Sequence, residues 1–202
     1  MSQVLERLAV KRLVGLESPE DLQKIKDFVS EVYLNAGYSN SPWKNIDYDP
    51  WSIWFYVEGE GGILCAMRIV EKYPWNFIPL EVALIHGKKN GPSKRYAVIE
   101  ENVADWNGVA FVQTREAWVE AKKTFRAVAQ FCLERNYDMV YGMYPLELVG
   151  IAHVYLNAGA VISKKYVGPM YFPEFNLKGE ECLLNVIEIG KGALQEIASK
   201  TS

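Results

Sequence analysis

The chain has 202 residues, half of them hydrophobic and 13% aromatic, enough apolar material for one packed core and too much for a disordered chain. Its net charge of −3 argues against broad electrostatic binding to nucleic acid, and no apolar run approaches the ~20 residues that span a bilayer. Cys65, Cys132 and Cys182 lie far apart, at no metal-ligand spacing, and the N-terminus, with charges scattered through its apolar residues and no small-residue cleavage site, does not read as a secretory signal. Both features fit reduced thiols in the cytoplasm.

One α/β domain over residues 1–202 is the expected organisation. Residues 8–14 read as a first strand. Ser18-Pro19-Glu20-Asp21 then supplies an N-cap, a proline for the first helical position and an acidic residue that closes a capping box. Behind it Leu22, Ile25, Val29, Val32 and Tyr33 keep a 3.6-residue period, and Gly37 is a natural stop. Residues 38–50 form a loop rich in aromatics that also carries Asp47 and Asp49.

Trp51 to Glu58 and Ile63 to Glu71 are β-rich runs divided by Gly59-Glu60-Gly61-Gly62, a hairpin signal. Leu80 to His86 is a third such run. Tyr96 to Val112 is predicted to contain one long or bulged strand, with Gly108 marking a bend or a close backbone approach. Thr114 then caps a helix over 115–135, whose apolar face carries Trp118, Ala121, Phe125, Val128, Ala129 and Cys132. A strand over 137–144, a helix over 146–158, a strand over 160–172, a strand over 181–189 and a short helix complete the chain.

This order, together with the string HVYLNAGAVI at 153–162, resembles the GNAT acyltransferase superfamily, in which a helical Tyr is followed four residues later by Gly and then by a strand. The resemblance implies a mixed, mostly antiparallel central sheet with helices on both faces. It also implies that Tyr155 lies near a thioester sulfur as general acid. A phenol is protonated at neutral pH, so that chemistry is sensible. A Tyr one turn before a helix-ending Gly is equally ordinary helix-end chemistry.

Typical acetyl-CoA users of that superfamily carry Q/R-x-x-G-x-G/A before the long helix, where backbone N–H groups hold a pyrophosphate. The corresponding stretch, Gln113-Thr114-Arg115-Glu116-Ala117-Trp118, keeps the Gln and neither Gly. The departure points to acyl-homoserine-lactone synthases and long-chain N-acyl amino acid synthases, which share the fold and take acyl groups from acyl carrier protein. The loop with Trp43, Asp47 and Asp49 is similar to their aromatic, Asp-x-Asp-like loop, and CAMRIV with Arg68 to their Gly-x-x-Arg strand. VADWNGVAFV at 103–112 is similar to their v-a-E-x-x-R-l strand, with Asp105 in place of Glu and Gly108 in place of Arg.

What the resemblance implies is an N-acyltransferase moving an acyl group from acyl-CoA, or from the acyl-phosphopantetheine of acyl carrier protein, to a small amine such as an amino acid. Tyr155 is the expected acid and Asp105 or Glu81 the base. Arg68, Trp43 and Asp47 are expected to bind the amine, and Phe111, Val112, Gln113 and Arg115 the acyl donor. Two rivals stand beside it, an ordinary acetyl-CoA-dependent GNAT enzyme and a non-catalytic GNAT-like binding module.

Among individual residues, Arg68 alternates with Leu64, Ala66 and Val70 on one strand face. It therefore needs a partner, either a substrate carboxylate or an internal one such as Asp47 or Glu81. His86 and His153 have no third ligand at metal spacing, so no metal is expected. Lys88, Lys89, Lys94 and Arg95, with Lys122, Lys123 and Arg126, read as a solvated surface or as a basic dock for an acidic carrier protein. Nucleophile-elbow, P-loop and dinucleotide motifs are absent, which removes support for hydrolase, kinase and dehydrogenase chemistry.

Overall fold

A computed structural model describes residues 8–39, 46–87, 93–147 and 149–200. In chain order it contains β1 (Lys11–Val14), α1 (Pro19–Asn35), β2 (Ser52–Gly59), β3 (Gly62–Glu71), α2 (Pro79–Val82), β4 (Leu84–Ile85) and β5 (Val103–Phe111). Then come α3 (Arg115–Glu134), β6 (Met139–Pro145), α4 (Val149–Leu156), β7 (Val161–Ile162) and β8 (Met170–Tyr171). A small separate hairpin of β9 (Asn176–Leu177) and β10 (Glu180–Glu181) precedes β11 (Leu184–Ile189) and α5 (Lys191–Ser199).

The main sheet runs β1-β2-β3-β5-β6-β11-β8-β4, with β7 also on β11. Every pairing is antiparallel except β5 with β6, so the sheet is mixed and mostly antiparallel. Side-chain alternation distributes the core. Phe55 and Val57 of β2, Met67 and Ile69 of β3, and Ala104 and Trp106 of β5 pack with Phe125 and Val128 of α3 and Leu194 and Ile197 of α5. Trp54, Tyr56 and Ala66 face the other way, onto Leu22, Ile25 and Val29 of α1. Helices thus cover both faces.

The two long helices begin as the sequence dictates. Ser18 Oγ accepts the Asp21 N–H at 3.4 Å, and Thr114 Oγ1 accepts the Ala117 N–H at 3.1 Å. Three strand expectations need correction. Within Leu80–His86, Pro79 and the Glu81 carboxylate, which accepts the Ile78 N–H at 2.9 Å, start the helical turn α2, leaving only β4 extended. The long, bulged strand expected within Tyr96–Val112 is β5, from Val103 to Phe111, and side chains tie down the segment before it. Glu100 accepts from Tyr141 Oη at 2.8 Å and from Tyr166 Oη at 2.6 Å. Residues 160–172 form only the two-residue strands β7 and β8, and the last strand begins at Leu184.

A bulge moves one more residue. Val57 pairs with Cys65 but Glu58 with Ile63, so Leu64 is extra and packs on the α3 side. Arg68 therefore shares its face with Ala66 and Val70 but not with Leu64.

A second bulge opens the sheet. Arg68 pairs with Asn107 and Ala66 with Ala110, so β5 takes three steps for two of β3. The extra residue falls at Gly108, whose φ of 61° suits glycine, and a Cβ there would lie 3.1 Å from the Trp54 ring. Past it the alternation reverses: Val109 and Phe111 now pack on the side that Ala104 and Trp106 occupied. Pairing of β5 with β6 runs from Val103–Met139 to Trp106–Gly142 and stops, although the strands continue to Phe111 and Pro145. Beyond Trp106 the two strands part. Gly108→Ala is expected to lower stability by about 1–3 kcal/mol, read as a lower denaturation midpoint at unchanged slope, because the substitution forces a Cβ into both the strained φ and the Trp54 ring.

Candidate active site

The parted strands bound a cavity of about 210 Å³. Asn107 to Phe111 line it from β5 and Gly142 to Pro145 from β6, with Tyr33 of α1 and its C-cap Ala36 on one side and Tyr155 of α4 on the other. Most of this lining is apolar, as is usual for small-molecule sites.

Three polar side chains form a row on the α1 side. Arg68, only 2% exposed, donates from Nε to Asn107 Oδ1 at 2.7 Å, and its guanidinium lies over the rings of Tyr48 at 5.3 Å and Trp54 at 5.2 Å. Asn107 Nδ2 donates in turn to Asp105 Oδ1 at 2.8 Å, and the Leu80 N–H donates to Asp105 Oδ2 at 3.2 Å. Burial pushes the Asp105 carboxyl up to about 6, although the Asn107 amide, the Arg68 charge and the Leu80 N–H all favour its ionised form. Burial also lowers the Arg68 pKa, against the opposing pull of Asp105. At neutral pH the row is an ion pair joined through a neutral amide.

Tyr155 comes from the opposite face. Its ring stands edge-on to Trp106 at 5.1 Å and to Phe125 at 5.6 Å between centroids. Its hydroxyl is sealed from solvent without a hydrogen-bond partner among the described residues, and burial pushes the phenol's pKa well above its ordinary 10. An orphaned polar group of this kind costs about 1–3 kcal/mol until something accepts from it. Gly159, at φ 96°, ends the helix and lets the Ala160 N–H return to the Tyr155 carbonyl at 3.0 Å. The Tyr-to-Gly string therefore does its structural work and also places a phenol at the cavity.

The residues singled out from the sequence divide. Tyr155, Arg68, Phe111 and Gln113 line the cavity, and Asp105 sits directly behind Asn107. Glu81 is engaged elsewhere, 2.9 Å from Lys72 Nζ. Asp47 Oδ1 accepts the Asp49 N–H at 3.0 Å, and Asp49 pairs with Lys26 at 2.6 Å. The carboxylate joined to Arg68 through Asn107 is thus Asp105, where the sequence offered Asp47 or Glu81. Val112 donates its N–H to Leu64 O at 3.0 Å, Arg115 is exposed in the first turn of α3, and neither lines the cavity. Trp43, Lys88 and Lys89 lie outside the described residues.

Lys123 pairs with Glu120 at 2.6 Å and Arg126 donates to Lys200 O, while Lys94, Arg95 and Lys122 are exposed. Sequence reasoning missed Asn107, although a residue two after Asp105 must share its strand face. It also missed Tyr48, Phe172 and Phe175, which reach the cavity from distant loops and leave no local signal.

No protein-family model matches the sequence, and no curated protein matches it. Solved structures do. The N-acyl amino acid synthase FeeM, from uncultured soil microbes, matches with a TM-score of 0.67 at 12% identity over 98% of this chain and 97% of its own. The acyl-homoserine-lactone synthase LasI matches at 0.62 with 16% identity over 97% of each chain. A spermidine N-acetyltransferase from Vibrio cholerae, solved with CoA and spermine, matches at 0.56 with 13% identity over 94% of this chain and 98% of its own. Likeness at such identities speaks for the backbone arrangement alone, and on it this chain has the GNAT fold.

Proposed function

We propose that this protein is an N-acyltransferase of the GNAT type, moving an acyl group from a thioester to a small amine. The observation that carries the reading is the cavity between the parted strands, with the unpartnered Tyr155 phenol on one side and the Arg68–Asn107–Asp105 row on the other. The amine nitrogen attacks the thioester carbonyl carbon; a C–N bond forms, and the C–S bond breaks with its electron pair going to sulfur. Asp105 takes the proton that the amine loses, through a water, since Asn107 stands between its carboxylate and the cavity. Holding the two reactants together supplies much of the rate, because a thioester needs orientation more than a strong nucleophile.

The role of Tyr155 is narrower than general acid. An ordinary phenol near 10 is already a weaker acid than a thiol near 8.5, so full transfer to a thiolate runs uphill by about 2 kcal/mol, and burial increases the gap. Tyr155 instead donates a hydrogen bond to the sulfur as its charge develops; the sulfur leaves as a thiolate and takes its proton from solvent.

The buried Arg68 charge favours an amine that carries a carboxylate, hence an amino acid. The donor is acyl carrier protein rather than CoA. At the start of α3, Thr114 Oγ1 already accepts the Ala117 N–H and Glu116 adds a negative charge in the first turn, where a CoA pyrophosphate would sit. A phosphopantetheine arm alone makes no such demand. Lys94, Arg95 and Lys122 offer exposed positive charge to an acidic carrier. The three cysteines are free and buried, which fits action in the cytoplasm.

Incubation with acetyl-CoA, long-chain acyl-CoA or long-chain acyl carrier protein, each with a panel of amino acids, tests this by following free thiol. Release from acyl carrier protein that depends on the amino acid is expected; release from acetyl-CoA alone would mark an ordinary acetyltransferase, and release from none removes the enzyme reading. Tyr155→Phe is expected to lower kcat by roughly 10²-fold with the fold intact, and an undiminished rate removes its role.

As a base, Asp105 must be ionised. The rate constant kcat/KM therefore falls tenfold per unit as pH drops below about 6, and Asp105→Asn loses that limb together with about 10²–10⁴ of the rate.

The same titration has a stability signature. Because the folded pKa is raised from 3.8 to about 6, the folded state binds the proton more tightly, and Asp105's contribution is best below pH 4 and is lost as pH rises through 6. Relative to Asp105→Asn, the parent protein is expected to lose on the order of 3 kcal/mol across that window in denaturant titrations, and a flat difference would contradict the burial of the charge.

A further inference from the structure

The two hydrogen-bond donors to Asp105 come from different places. Asn107 lies two residues on in the same strand, whereas the Leu80 N–H, 3.2 Å from Oδ2, belongs to α2, 25 residues earlier in the chain. A four-residue turn of helix does not hold its shape alone. What fastens it is one ion pair: Lys72 Nζ lies 3.0 and 2.9 Å from the two Glu81 oxygens and also donates to the Asn76 carbonyl at 2.7 Å. Glu81 Oε2 accepts the Ile78 N–H at 2.9 Å as well. Asn76 closes the other end, donating to Glu71 O at 2.7 Å and accepting the Tyr73 N–H at 2.6 Å.

The Lys72 and Glu81 side chains are only 12% and 6% exposed. A pair so buried is a poor source of stability, since apolar residues in its place commonly serve as well. Its position is what distinguishes it. Among the described residues, the charged and titratable groups that bear on Asp105 are Arg68 from β3, Glu81 from α2, Tyr48 from the loop before β2, Tyr155 from α4 and Tyr141, its cross-strand neighbour on β6, whose hydroxyl donates to Glu100. Glu81 is the one other carboxylate among these, and Lys72 neutralises it.

We propose that Lys72 and Glu81 form a positioning pair for Asp105, holding the Leu80 amide on its carboxylate while each cancels the charge that the other would bring to bear on it. This deepens the function proposed above and rests on Asp105 as its base. The two single variants then act in opposite directions, which a merely structural pair would not do. Glu81→Gln keeps the shape of the side chain and leaves the Lys72 cation unbalanced, so the Asp105 limb of the kcat/KM profile moves to lower pH by roughly half to one unit. Lys72→Met leaves the Glu81 charge unbalanced, and the limb moves to higher pH by a similar amount.

The ¹³C-carboxyl NMR signal of Asp105, titrated in the same variants, reads the effect without turnover. Opposite shifts in both readouts are expected. Shifts of one sign, or no shift, in the carboxyl signal overturn the proposal. Opposite shifts in that signal beside an unmoved rate limb overturn Asp105 as the base while upholding the pair's action on its carboxylate. Where Lys72→Met does not fold, the direction of the Glu81→Gln shift decides.

Discussion

The extra residue that Gly108 gives β5 is the constraint on which the rest of the site depends. A regular strand would continue its ladder with β6 and leave no space between them. Here β5 takes three steps against two of β3, its alternation reverses, and pairing with β6 ends at Trp106 and Gly142. Backbone groups released from the ladder and side chains from both faces then border one space. Tyr155 on the α3 side and Arg68 on the α1 side line the same cavity only because the sheet is open there.

Placing charge in that opening has a cost the molecule manages without a direct contact. Arg68 and Asp105 are both buried, yet Asn107 stands between them, accepting from one and donating to the other. A direct ion pair would hold Asp105 firmly ionised and mask the Arg68 charge. The amide bonds to each partner while burial still raises the carboxyl to about 6. Stability is sacrificed for this, since an unburied carboxyl would hold its charge more readily.

The start of α3 departs from what a CoA cradle asks. The first turn of α3 is closed by its own cap, Thr114, and carries Glu116, so the N–H groups that bind a pyrophosphate in a glycine-rich loop are partly occupied and face a negative charge. The fold resemblance extends over nearly all of FeeM and LasI and of this chain, while the first turn of α3 keeps a cap and a charge of its own.

Periodicity and capping made the framework readable in the sequence: α1 and α3 with their Ser18 and Thr114 caps, the β2–β3 hairpin around its glycines, and the order of elements over the second half. These rest on contacts between near neighbours, which a sequence displays directly. Gly108 was legible as a bend and Tyr155 as the end of a helix, because each obeys a local backbone rule. The partner of Arg68 was not legible, nor was the engagement of Glu81 with Lys72. Strand register and a four-residue helical turn decide which of several carboxylates comes within reach. Elements and the kinds of side chain on offer follow from local pattern. Which of those side chains meet across the opened sheet follows from packing, because bulges reverse faces and loops from distant positions close the cavity, and neither leaves a periodic trace.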